Sequence, residues 1–484
     1  MPQDWIETEF SELKLGDPRR EDRARIVLEQ LSRVADSPPD ACRGTNELAG
    51  MYRFVGNSNI QPDDILLAHH QASLHRTTEY DLVVLAQDTT VIDLTKPNRQ
   101  VAGAGPIESN DKRGVFLHPL YAISESGVAL GIVDQVIWTR DEIRTDLSDN
   151  EKRELRRNQA FEEKESCRWM DMLQSGEQIA RAHPGTHYVN VADSECDICE
   201  LYVESTSFPE NYDFIIRGCH NRSVVASDEA EDAARNIDEA LENSPFKFCT
   251  EATVSGRTSK IAGETRARRK SREARHAKIQ VRACQVTVRG PDRPGGRLPD
   301  VVLNVVEAIE VDPPDGEEPI RWVLLTTMPI DSVKQIERII GLYALRWNIE
   351  LYFKTLKSGM RVEKLKYETL DRYLTAMSML MIVAWRVEFI KGAARHDPDS
   401  SCEKYFSRDE WIPCYLVANQ TREIPSVVPT TSEFLLLISE LGGYLNKKGQ
   451  GPPGSMTIWR GLRRLEAYAE AYQVFGKQNL TCVG

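Results

Sequence analysis

The chain has 484 residues, 41% of them hydrophobic and 28% charged, with a formal net charge of −13. It is long enough for two or three domains around sizeable cores, and its acidic balance argues against nonspecific nucleic-acid binding by the chain as a whole. Its first residues form no cationic, apolar leader. Its longest apolar stretch, Leu374–Trp385, is interrupted by Thr375 and Ser378 and falls short of the roughly 20 residues a bilayer requires, so a soluble, cytoplasmic protein without a membrane span is expected.

Residues 1–72 carry helical patterning. The motif Leu15-Gly16-Asp17-Pro18-Arg19-Arg20 leads into an amphipathic run, a loop with Pro38-Pro39 follows, and Pro62-Asp63-Asp64 opens a further helix. A small helical domain with Arg20, Arg23, Arg33 and Arg53 exposed on it is predicted. From about residue 80 the pattern turns to strands: Leu82-Val83-Val84-Leu85-Ala86-Gln87 ending in Asp88, then Val115 to Ile123 and Val128 to Trp138 with a Ser124–Gly127 turn between them. A charged helical segment, 148–183, connects to the strand Tyr188–Ala192, which again ends in an acid, Asp193. Three strands, a helix and a strand are the connectivity of a ribonuclease-H-like α/β core, although the pattern alone also admits other α/β folds.

Residues 200 to about 325 read as a mostly β-patterned insertion into that core, closing on the strand Trp322–Thr327. Inside it the charge reverses. Between Arg257 and Arg282 stand ten Lys or Arg against Glu264 and Glu273, a local balance of +8 that a solvated tract would explain and that phosphate contacts would explain equally well. Asp331-Ser332 then caps a predicted helix with the stripe Val333, Ile336, Ile340, running on through Tyr343-Ala344-Leu345-Arg346-Trp347-Asn348-Ile349-Glu350 to Lys357. At 100° per residue, Tyr343, Arg346, Glu350 and Lys357 fall within about 60° of one face of that helix. Beyond 366 the chain is helical again. The domains expected are therefore 1–72, 73–365 and 366–484.

Ten cysteines from Cys42 to Cys482 lack the spacing of a disulfide framework, which suggests reduced thiols. Cys196-x-x-Cys199 with Cys219-His220 matches no common zinc finger, so buried structural thiols are expected there. The strand-end acids offer more chemistry. Asp88 and Asp193 sit where strand ends point out of a sheet, and a helix packed on that sheet can bring in Glu350. Three carboxylates in one place raise one another's pKa unless a cation neutralises them, and a divalent ion with hard oxygen ligands suits that demand.

In this combination the chain resembles the bacterial cut-and-paste DDE transposases of the insertion-sequence-four family. Tyr343, Arg346, Glu350 and Lys357 meet that family's Y-(2)-R-(3)-E-(6)-K signature, Asp88 in Q-D-T-T and Asp193 in A-D-S-E-C-D match its first two acids, and L-G-D-P-R-R and M-Y-R-F-V match its amino-terminal domain. The resemblance covers nearly the whole chain. It implies that Asp88, Asp193 and Glu350 hold two Mg2+ or Mn2+ ions, that Tyr343, Arg346 and Lys357 contact DNA beside the cut, and that Trp322 stacks on a flipped base. It also implies basic contacts from Arg217 and Arg222, end recognition with Arg20, Arg23 and Arg53 as candidates, and carboxy-terminal dimerisation of a complex holding transposon ends and target DNA. Two positions depart from the pattern, Ser194 where a relative has Arg and Cys219 where one has Lys, and both thin the positive charge near DNA. A nuclease that cuts without strand transfer and a catalytically inactive DNA-binding relic are the competing readings.

Overall fold

The computed structural model describes residues 5–33, 38–96, 100–142, 147–225, 234–254, 256, 273–448 and 450–476. They form two compact units, Met1–Glu151 together with Trp347–Gly484, and Lys152–Arg346.

In the first unit, helices Trp5–Glu9, Pro18–Arg33, Thr45–Val55 and Pro62–Thr77 precede an antiparallel set of strands. These are β1 (Leu82–Gln87), β2 (Thr90–Asp93), β3 (Gly105–Pro106), β4 (Arg113–Ser124) and β5 (Ala129–Trp138). β4 pairs with all the others. The 72/73 boundary drawn from sequence falls inside the helix that ends at Thr77, because Pro62 at its first turn starts four turns of helix. That helix lies on β5, and Gly131 makes the approach possible. Its φ is +139°, and a Cβ there would stand 1.9 Å from Ser73 Oγ.

The core of this unit is the helix Leu370–His396, 27 residues long. Sequence placed a shorter apolar stretch here. The helix is in fact long and apolar enough to cross a membrane, but 83% of its most apolar window is buried inside the protein. Its polar residues are paired within the core. Glu388 accepts from Thr355 Oγ1 at 2.6 Å and pairs with Lys391, which also donates to Ser455 Oγ at 2.7 Å. Helices Arg408–Ala418, Thr431–Leu441 and Ser455–Ala471 complete the unit.

The second unit carries the helix Cys167–Ala182 and strands β6 (His187–Ala192), β7 (Tyr212–Arg217), β8 (Phe246–Val254), β9 (Arg275–Val288), β10 (Asp292–Arg293), β11 (Gly296–Arg297), β12 (Val301–Val311) and β13 (Arg321–Thr326). β6 and β7 are parallel, and β7, β13, β12, β9 and β8 follow as antiparallel neighbours. The expectation that everything from 200 belongs to an insertion is corrected here. β7 continues the parallel core beside β6, with the short helix Cys199–Glu204 as crossover.

The helix expected to run unbroken from 333 to 357 is also corrected. Ser332 and Gln335 form a capping box, and the helix Val333–Ala344 buries Ile336, Ile339, Leu342 and Tyr343. At Leu345 and Arg346 the amides bond three residues back, to Leu342 and Tyr343, at 3.1 and 3.0 Å. A new helix, Trp347–Lys354, follows and widens into a π-turn at Thr355–Gly359. The shared face presumes one straight helix, and the helix is interrupted at Leu345–Arg346, before the helix that carries Glu350.

Candidate active site

Asp193 follows β6 and caps a 3-10 turn, its Oδ1 accepting from Glu195 N–H at 2.9 Å. Four residues on, Asp197 anchors the loop after β7. Its Oδ2 accepts from the backbone N–H groups of Cys219 and His220 at 2.7 and 2.9 Å, and its Oδ1 from Tyr202 O–H and Arg222 Nε at 2.6 and 2.7 Å. Burial alone would raise this carboxyl, but Tyr202, Arg222 and the two backbone donors hold it below its usual value. Arg222, expected at DNA, is thereby engaged by Asp197 and lies over the Tyr202 ring at 5.4 Å. It braces a loop and is not presented to phosphate. The atoms of Asp197, Cys219 and His220 lie within 4.8 Å of one another, but that carboxylate is already occupied by four donors. Cys196 and Cys199 are buried thiols, as expected, whereas Cys219 is exposed because it sits in the loop after β7.

Around Tyr343 lie several of the residues singled out by sequence, all within the second unit. Tyr343 is 2% exposed and Arg346 6%, so neither lies on a solvated helix face. The Trp322 ring stands 5.2 Å from Tyr343, edge-on at 71°. Burial pushes the Tyr343 phenol up, Arg346 and Arg217 restrain it, and Asp193 adds a small upward push. Arg217 ends β7, half-buried, and donates to the Arg321 carbonyl at 3.4 Å. Trp322 and Arg346 therefore neighbour Tyr343, with Arg217 and Asp193 within electrostatic reach, a grouping that local pattern alone does not show because its members come from β6, β7, β13 and a helix end.

In the first unit, Asp88 directly follows β1 and its Oδ1 accepts the Thr89 N–H at 2.7 Å. Glu350 stands in the first turn of the Trp347–Lys354 helix, which packs on β1. Lys357, in the π-turn, is 4.0 Å from Glu363, and burial pushes its ammonium down while Glu363 and Asp93 pull it up. Asp88 and Glu350 thus belong to one unit and Asp193 to the other.

Of the four amino-terminal arginines expected at the surface, Arg53 is exposed while Arg20, Arg23 and Arg33 are half-buried. Arg20 donates to the Leu15 carbonyl, and the Arg23 guanidinium lies against Gly50. In the basic run, Arg275 is paired with Glu310 and Glu317 and Arg282 with Glu307, so acids of β12 and the following loop neutralise them. Arg257, Lys260, Arg266, Arg268, Arg269, Lys270 and Arg272 lie outside the described residues.

Three family models match the chain: a transposase DNA-binding domain over residues 2–60, a transposase DDE domain over 210–386, and the Tn5 transposase dimerisation domain over 382–477. Helical flanks around an α/β core of ribonuclease-H type define this chain as a DDE transposase, an enzyme that acts on DNA. It belongs to the Tn5-like transposases, with the DNA binding, dimer formation and divalent-metal dependence of that group. The DDE match covers Trp322, Tyr343, Arg346, Glu350 and Lys357, and begins after Asp88 and Asp193. Among solved structures, the chain is similar to a piggyBac transposase synaptic complex with hairpin DNA, over 95% of this chain and 81% of that one, at 9% identity and a TM-score of 0.33. A likeness that weak carries no argument.

Proposed function

We propose that the protein excises a DNA segment and inserts it elsewhere, with Asp88, Asp193 and Glu350 as the acids of the active site. The grouping of Trp322 and Arg346 with Tyr343, with Arg217 and Asp193 within electrostatic reach, is the observation that best supports this reading, because it puts cations and aromatic faces near one of the three acids. The donor set fits hard divalent cations, Mg2+ or Mn2+, in a pair. Bound there, such ions supply Lewis acidity to a phosphodiester and lower the pKa of a bound water.

The reaction reads as successive in-line phosphoryl transfers. Water cuts one strand at the transposon end and frees a 3′-OH, which attacks the opposite strand to close a hairpin. A second water opens the hairpin, and the 3′-OH then joins target DNA. Arg217, Tyr343, Arg346 and Lys357 orient the phosphates beside the cut, and Trp322 stacks on the base displaced at the hairpin, offsetting a few kcal/mol of lost stacking. Arg20, Arg23 and Arg53 serve end recognition within a homodimeric synaptic complex, in a bacterial cytoplasm. Arg222 acts behind these contacts, through Asp197.

Purified Asp88→Ala, Asp193→Ala and Glu350→Ala proteins, given an end-bearing duplex and Mg2+, are expected to bind DNA yet lose nicking, hairpin formation and strand transfer together. Retained cleavage by any one would remove that acid from the site.

A further inference from the structure

β1 and β2 pair with β4 in one continuous register, Gln87 facing Leu120 and Thr90 facing Leu117. They are a single strand line interrupted at Asp88 and Thr89, which fall opposite Pro119 and His118. Proline has no N–H to give to a ladder, so regular pairing lapses at the acid. An imidazole bridges the gap. His118 is fully buried, its Nε2 lies 3.0 Å from Gln87 Oε1, and its Nδ1 lies 2.8 Å from Thr89 Oγ1. An amide oxygen only accepts, so Nε2 carries the proton and Nδ1 accepts from the Thr89 hydroxyl. Gln87 and Thr89, two apart on the strand line, share the face that carries His118, and Asp88 between them points to the other face.

We propose that His118 is a positioning residue for Asp88. By holding the side chains on either side of the acid from the far face of the sheet, it fixes the backbone that presents the carboxylate, in a stretch where the ladder cannot. The Thr89 N–H then sets one carboxylate oxygen, leaving the rotamer defined before any ion arrives. This inference rests on the reading of Asp88 as a metal ligand. Groups that orient a ligand in this way typically matter about 10- to 100-fold in metal affinity.

The test uses the full chain, with Mn2+ binding followed by electron paramagnetic resonance, cleavage rate measured against Mn2+ concentration, and thermal unfolding in parallel. Thr89→Val removes the hydroxyl at nearly constant volume. It is expected to weaken Mn2+ binding about 10-fold, with cleavage recovered at high Mn2+ and unfolding little moved, while Thr89→Ser restores affinity. Should Thr89→Val fail to fold, His118→Leu, which offers the Thr89 hydroxyl no acceptor, makes the same measurement. Wild-type Mn2+ affinity in these variants, alongside lost affinity in Asp88→Asn, would overturn the role of His118 alone. Wild-type affinity in Asp88→Asn would overturn the metal-ligand reading itself.

Discussion

Asp197 illustrates how much a single carboxylate can organise. It accepts from Tyr202, Arg222 and two backbone N–H groups, so truncating it leaves a half-buried guanidinium and two amides without their acceptor. Asp197→Ala is expected to cost about 2–3 kcal/mol, read as a lowered denaturant midpoint, and to loosen the loop carrying Cys219 beside Asp193. Sequence marked Asp88 and Asp193 because an acid ending an apolar strand is visible in one dimension. It gave no warning that Arg222 would be engaged by Asp197, 25 residues earlier, or that Tyr343 would be buried. Partnerships between residues far apart in the chain depend on strand order, and strand order is not written in local pattern.

Among the elements, strands β1, β4, β5 and β6 were legible from apolar runs, and the cap at Ser332 from its residue type. The break at Leu345–Arg346 was not, because no Gly or Pro marks it and every residue there is an adequate helix former. β7 was misassigned to an insertion because one parallel strand looks like any other apolar run until its partner is known. At the junction of the Pro62–Thr77 helix with β5, Gly131→Ala is expected to destabilise by about 1–3 kcal/mol, since the added methyl overlaps Ser73 Oγ and L-residues avoid that φ. A Gly131→Ala, Ser73→Ala double variant, compared by melting with each single one, would recover the overlap with Oγ and leave the 2.7 Å approach to the Ser73 Cβ together with the backbone strain.

At the scale of the molecule, acid sensitivity should centre on the first unit. Ile132 N–H donates to His69 Nε2 at 3.2 Å, so His69 Nδ1–H donates to Glu9 at 2.6 Å, and Arg76 closes the network over Trp385. Burial lowers His69, and burial with the neighbouring His69 lowers His70 to about 4. Both are neutral in the fold and ordinary when unfolded, so the unfolded chain binds more protons below pH 6.5. Stability is then fully present above pH 6.5 and falls as pH drops toward 4, by roughly 3 kcal/mol from His70. Glu9, which burial would raise but Arg76 and His69 hold below 4.5, adds its loss only at lower pH. Denaturant midpoints between pH 7.5 and 4.5 should fall accordingly, and His70→Gln should flatten the slope. The partition of the chain has a temporal meaning as well. Lys152–Arg346 is contiguous and can complete itself as it leaves the ribosome, whereas Glu9, His69 and β5 must wait for Trp385 in a helix synthesised more than two hundred residues later. At usual elongation rates that wait is on the order of tens of seconds. Throughout it the nascent amino-terminal segment, up to Glu151, has no core helix to fold against, so chaperone dependence should attach to that segment.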